Sequence, residues 1–413
     1  MNDPTIRFDD VDLDTWRAKL ERDGRTAASL THAGLDGIDV EALYDRPPAR
    51  PVVVPPRAGW ACLQALPADP ARALEVARAL PSAQVDGVWI ASGDAAAIVA
   101  GLPAGLAAYV EGDAVLPGAV ACVVDPCVPT GGPTAARIDA VIGRAAARPI
   151  RTWLCDGTPW HDAGATAVDE IAAVLAGVLG ALRSLEARTG AAPREAASAL
   201  LMRVGLGGDV IVDVAKLRAL RGLWHACAGA LGIDGAAIPV HERTSRRVRS
   251  RLDADTNLVR ATYELFAAAT TGVDALVVEP HDGGTADGSH RWARNLVHLM
   301  RHESHLGRVD DPFGGAWAIE SLTRALADAA WRRVQEIERA GGLAAAVDAG
   351  EPQRRAAAAA GRRRAAIAAG THPLVGVSKY APPPPRETPT IPEDAFGPAD
   401  LCAPYEVVAG GAR

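Results

Sequence analysis

The chain has 413 residues, 49% of them hydrophobic and 23% charged, a balance that predicts a soluble globular protein with a large core. A net charge of -7 and a sequence pI near 5.8 provide no basic field for nucleic acid or an anionic membrane. The longest apolar run, 172–182, falls well short of the ~20 residues a membrane span needs, and no secretory pattern opens the chain. Six scattered cysteines (Cys62, Cys122, Cys127, Cys155, Cys227, Cys402) form no CxxC or zinc spacing, so buried thiols in a cytoplasmic setting are expected.

Residues 1–58 carry one amphipathic helix, LDTWRAKLERDG, followed by a proline-rich extended arm. From 59 to 316 short apolar runs alternate with helical patterns. The strand candidates begin at 61 (ACLQALP), 85 (VDGVWIAS), 107 (AAYVEG), 119 (AVACVVD), 151 (RTWLCD), 199 (ALLMRVGL), 238 (IPVHERTS) and 275 (ALVVEPHD). Helices are expected at 69–80, 94–101, 136–148, 167–188, 210–231, 257–271 and 289–306, with only Gly112 to Gly118 between the third and fourth strands. Near-continuous apolar strands separated by helices indicate a parallel sheet covered by helices. Eight such repeats in this length suit an α/β fold of the (β/α)8 TIM-barrel type, with a doubly wound open sheet as the alternative. Residues 317–370 read as C-terminal helices, at 317–341 and about 344–369, with Arg362 to Arg364 on a solvated face. The segment 371–413 is an extended, proline-rich tail.

The stretch RTS…TNLVRATYELFAAATTGVDAL, then ARN…HESHLGRVDDPFGGAWAIESLTRALADAAW and QEIERAGG, resembles the acyl-CoA-binding barrel of the adenosylcobalamin-dependent methylmalonyl-CoA mutase family. Members of that family isomerise the carbon skeleton of an acyl-CoA. The barrel's work there is to exclude water, place the thioester and hydrogen-bond its carbonyl oxygen. The N-terminal arm, matched by DGIDVEALY, wraps a partner subunit in the family; a tail packed on its own barrel is the alternative.

The resemblance places His161, in TPWHDAGATAVDE, where the family's catalytic histidine hydrogen-bonds the acyl oxygen, with Trp160 in the place of a tyrosine. A helix-cap or loop role is the competing reading of His161. His241, in HERTS, survives as a substrate-binding candidate. Other family positions are altered. PPRAGWACLQALPADP lacks the tyrosine and arginines of the catalytic block, CVVDPCVPTGG lacks a glutamine, Ala199 and Leu201 stand where an arginine and a serine meet coenzyme A, and Glu279 and Gly283 fall where the adenosyl ribose is contacted. No DxHxxG cobalt-ligand motif occurs, because Pro159 precedes the HxxG of 161–164 where its aspartate would be. VDPCVPTGG, WHDAGATAVDE and HERTSRRVRSRLD look closer to the family's small, non-catalytic subunit. The expectation is therefore a small-subunit-like chain that binds no cobalamin itself and supports a catalytic subunit carrying adenosylcobalamin. The alternative is an active acyl-CoA-binding subunit that uses cobalamin from a separate subunit.

Three further patterns carry two readings each. His298, His302 and His305 suit one helix face and a metal, or scaffold. GLGGD at 205–209 suits a phosphate, or a plain strand-to-helix turn. His281 and Asp282 suit a polar site, or a packed pair closing the barrel top. Trp89, Trp153 and Met202 are the bulky candidates for plugging a barrel channel.

Overall fold

The structure is a computed structural model that describes residues 12–383, apart from positions 33, 57–58, 68, 81–83, 92–93, 113–115, 129–132, 148–149, 234–237, 252 and 285–287. Each apolar run is too short for a helix, so its backbone groups are satisfied only by pairing with neighbouring strands. The eight strands are β1 (Ala61–Ala65), β2 (Gly87–Ile90), β3 (Ala107–Glu111), β4 (Ala119–Val124), β5 (Arg151–Asp156), β6 (Leu200–Leu206), β7 (Val240–Thr244) and β8 (Ala275–Val278). All pair in parallel and in sequence order. Leu63 of β1 lies opposite both Gly87 of β2 and Val277 of β8, so the sheet closes into a barrel and the open-sheet alternative is excluded.

Strand period two then sorts every side chain. Leu63, Trp89, Ala121, Val123, Leu154, Leu201, Ala275 and Val277 form one buried cluster on the barrel axis, with Tyr109 packed against it. Trp153 and Met202 point the other way, into the larger core between barrel and helices. Of the three candidate plugs, only Trp89 lies on the axis.

Helices cover the outside at the expected places, and five of them are started by a side chain that takes an orphan amide. Asp69 caps Pro70–Arg78, Asp94 caps Ala95–Gly101, Thr166 caps Ala167–Thr189, Asp209 caps Val210–Ala230 and Asp253 caps Ala254–Thr270. Two expectations fail locally. The helix expected over 344–369 is two, Leu343–Asp348 and Glu351–Ala368, because Gly350 turns left-handed at φ 72° and Pro352 sits in the new first turn. The helix expected over 289–306 runs as Ser289–His298 and then widens into a π turn, Leu299–Glu303.

The arm contains the expected helix, Leu13–Arg22, and an unexpected short one, Ala27–Leu30. Downstream it packs on its own barrel. Val52 sits so close to Gly222 that a β-carbon there would meet it at 2.1 Å, and Arg221 donates to the Pro55 carbonyl. Five cysteines are free and buried. Cys402 and the rest of 384–413 lie outside the described residues. No helix among the described residues is long and apolar enough to cross a membrane.

The axis cluster makes a direct stability prediction. Leu154→Ala removes a fully buried axis side chain and is expected to cost about 2–5 kcal/mol in denaturant unfolding. Val53→Ala on the exposed arm is expected to stay within about 0.5 kcal/mol, and an equal effect of both would mean the axis is loosely packed.

Candidate functional site

The carboxyl ends of the strands, where barrel enzymes place their chemistry, are here crowded with paired charges. Two residues beyond Leu201, the alternation of β6 turns Arg203 onto the axis. Its guanidinium grips Asp156 at the end of β5 through two nitrogens, one at 3.1 Å, and donates to Glu111 of β3 at 3.0 Å. The same guanidinium lies 4.5 Å above the Trp89 ring, whose indole N–H donates to Glu111 at 3.1 Å. Burial alone would raise the Asp156 carboxyl, but the charge and hydrogen bonds of Arg203 outweigh it and hold it below the usual carboxylate range.

Beside it, Arg243 of β7 pairs with Asp162 and reaches Glu279 at 3.3 Å, and Arg246 holds both oxygens of Glu279 at 3.0 and 3.1 Å. Glu279 is thereby kept ionised well below its ordinary value despite burial, which acts the other way. His241 lies below this layer, edge-on to Trp89 and Tyr109 with ring centroids 5.9 and 5.0 Å away. Burial, then Arg203, lowers it to about 3, so it is a neutral ring packed into the axis cluster, and its Nδ1 has no acceptor.

His161 sits on the short helix Thr158–Asp162 after β5 and is 1% exposed. Its Nδ1 faces Glu170 at 3.1 Å and its Nε2 faces Ser245 Oγ at 2.8 Å. With the Nδ1 proton given to Glu170, Nε2 accepts from the serine. Burial first, and then the charges of Arg247 and Lys216, keep the imidazole neutral far below its ordinary pKa. Glu170 also accepts from Lys216 at 2.5 Å and from the Gly205 amide at 2.9 Å. Burial raises the Glu170 carboxyl against the pull of that lysine. His161 and His241 are therefore not brought together into one site. The first braces the loops outside the strand ends, and the second fills the barrel.

The other sequence candidates are placed as follows. Trp160 is buried in the outer core. His281 packs on Trp292 with ring centroids 5.5 Å apart, and Asp282 accepts from the Gly284 amide at 2.9 Å. The amides of Gly207 and Gly208 donate to the Asp213 carboxylate at 2.8 to 3.0 Å, so the glycine turn has spent its anion-binding donors on its own helix. His298 and His302 stack at 5.8 Å, but the π turn intervenes and His305 leaves the helix at φ 57°. Among the described residues no group of three or more side chains is arranged to hold a metal. Arg363, expected on a solvated face, is buried and bonded to Asp36 of the arm at 2.5 Å; only Arg362 and Arg364 are exposed.

Sequence reasoning missed Arg203, Asp156 and Arg243. The available signal was a charge within or at the end of an otherwise apolar run. It also missed Glu242 and Glu264 behind β7, both nearly inaccessible to solvent. Burial raises Glu242 well above the carboxylate range and Glu264 to about 8, and Glu264 accepts from the Ser245 amide at 2.9 Å.

The family model described as methylmalonyl-CoA mutase matches residues 143–396. A protein of Mycobacterium tuberculosis named probable methylmalonyl-CoA mutase small subunit is 37% identical over 291 residues, covering 68% of this chain and 45% of its own. The methylmalonyl-CoA mutase small subunit of Streptomyces virginiae is 37% identical over 235 residues, 56% of this chain and 38% of its own. The large subunit of Propionibacterium freudenreichii is 36% identical over 230 residues, 54% of this chain and 32% of its own. The chain thus spans less than half the length of these relatives.

Two measurements check the site. A β-carbon on Gly205 would lie 2.9 Å from the His161 ring, so Gly205→Ala must displace the imidazole and is expected to lower stability by about 1–3 kcal/mol. A silent substitution would mean the His161–Glu170 bond is not held as described. For Glu264, the unfolded chain loses its proton near the ordinary 4.5 while the folded chain keeps it to about 8. The unfolded state then binds fewer protons between those values, so this group makes stability fall as pH rises, by roughly 1 kcal/mol per unit at most. Glu264→Gln keeps an acceptor for the Ser245 amide and is expected to flatten that fall between pH 5 and about 8 in pH-dependent unfolding. An unchanged slope would contradict a buried neutral acid there.

Proposed function

The chain belongs to the methylmalonyl-CoA mutase family, and from that premise we propose that it is a small-subunit-like, non-catalytic partner that supports a catalytic acyl-CoA mutase chain. The observation that carries the proposal is the filled barrel. Leu63, Trp89, Tyr109, Leu154, Leu201 and His241 occupy the axis, and the ion pairs of Arg203 and Arg243 lie across its mouth. An acyl-CoA threaded through such a barrel would have to displace fully buried side chains and break paired, desolvated charges. His161, the residue matched to an acyl-oxygen donor, has both ring nitrogens engaged by Glu170 and Ser245. We assign it a positioning role in the loops, and His241 a packing role.

The residues at the mouth do not fit a corrinoid or its adenosyl group. Glu279, which the resemblance places at a ribose contact, is committed to two arginines. Adenosylcobalamin is accordingly assigned to the partner chain. The second reading, an active acyl-CoA-binding subunit, draws its support from the 36% identity to a large subunit, close to the figure for the small ones.

Calorimetric titration of the purified chain with methylmalonyl-CoA separates the two. No heat up to the millimolar range is expected, together with co-purification of a catalytic mutase chain from the source cell. Micromolar binding that disappears when the pantetheine arm is shortened would overturn the non-catalytic assignment.

A further inference from the structure

Away from the barrel axis, a cavity of about 280 Å³ opens where the N-terminal arm, the turn after β6, the loop after β7, and the last helix with the segment after it meet. That volume is slightly below the roughly 300–1,000 Å³ of sites for drug-sized molecules. One side is apolar, formed by Ile38, Val40, Val212, Val248 and Leu374. The other carries two buried arginines, Arg247 and Arg363, each 4% exposed.

The bonds of these arginines are incompletely used. Arg363 donates from Nη2 to the Leu35 carbonyl at 3.1 Å and to Asp36 at 2.5 Å. Arg247 donates from Nη1 to the carbonyls of His161 and Ala165 at 3.3 and 3.1 Å, and its Nη2 approaches Asp36 only to 3.9 Å. Each retains a buried Nε–H with no acceptor. Two guanidiniums thus share one carboxylate. The other carboxylates on the wall are committed elsewhere, Asp213 to the amides of Gly207 and Gly208, and Asp209 to the cap of the following helix at the exposed rim. Asp36 alone answers both buried guanidiniums, and a monoanion in the cavity would supply a second acceptor beside them.

We propose that this cavity binds a small monocarboxylate with a short aliphatic body, its carboxylate on Arg247 and Arg363 and its body against Val40, Val248 and Leu374. The apolar wall distinguishes this ligand from inorganic phosphate, which would leave that wall facing a charge it cannot solvate. Occupancy would tie together the arm, the barrel and the C-terminal segment, because each contributes to the wall.

The test is calorimetric titration of the full chain with pentanoate, with pentanamide and inorganic phosphate as comparison probes. Saturable binding of one pentanoate per chain is expected, with pentanamide weaker by about tenfold or more for want of the charge. Arg363→Gln should weaken pentanoate by a similar factor. Because that change also loosens the arm, Val40→Phe is the second variant: it keeps both arginines, fills the cavity and should abolish binding while the thermal midpoint holds. Absence of pentanoate binding, binding unchanged in Val40→Phe, or phosphate binding tighter than pentanoate would each overturn the proposal.

Discussion

The organisation of the barrel depends on Arg203. A guanidinium on the axis of a closed sheet has no water to turn to, and its desolvation is tolerable only with full pairing. Asp156 and Glu111 supply that pairing from the neighbouring strand and from across the mouth, and Trp89 supplies a ring face. Each partner is fixed by the others, since the indole that carries the arginine also bonds the same Glu111 oxygen. The result is a stopper whose apolar lower half packs the axis and whose charged upper half faces the loops. A wide ligand channel and this stopper are mutually exclusive uses of the same inward positions.

Outside the strand ends a second buried network performs a different task. Glu170 binds His161, Lys216 and the Gly205 amide, thereby joining the loops after β5 and β6 to the two long helices that follow them. Arg247 continues the chain of contacts to the carbonyls of His161 and Ala165, and Arg363 with Asp36 extends it to the arm and the last helix. A histidine gripped at both nitrogens within such a network is well placed to hold geometry and poorly placed to meet a substrate. On the reading proposed above, Ser245 at its outward nitrogen gives the histidine after β5 a positioning role.

Much of the fold was legible because parallel barrel strands are buried on both faces and read as short apolar runs between helices. All eight were visible, as were most helices between them. What a run does not disclose is which of its side chains face the axis. Trp89 and Trp153 look alike in sequence, and only the register of closure sends one inward and the other to the helices. Tyr263 reads as apolar helix face yet is exposed, while its neighbour Glu264 is buried, because Ser245 needs an acceptor there. Arg363 carried no local sign of burial, since Asp36 lies 327 residues away. The break at Gly350 and Pro352 did carry one, and the alanine-rich composition around it masked the signal.

Identity near 36–37% to both small and large subunits does not separate a catalytic barrel from a supporting one. The family match begins at residue 143, just before β5. Leu154, Leu201, Ala275 and Val277 of the axis lie in the half it covers, whereas Leu63, Trp89, Tyr109 and Val123 come from β1 to β4, the half it leaves out. Closure constrains that half strongly, since β1 must pair with both β2 and β8, so backbone and outward faces have little freedom to change. Freedom remains at the inward positions, where any set of side chains that fills the axis at crystal-like density will serve. A barrel relieved of passing a substrate along its axis would lose the need for space there first, and would gain stability by filling it. The tyrosine and glutamine that the family resemblance leads one to expect before β1 and after β4 are absent from this same half, and the half with the long bracing helices also departs at Trp160, Ala199, Leu201, Glu279 and Gly283. On the reading proposed above, a filled axis and the bracing helices are compatible because they use opposite faces of the same strands.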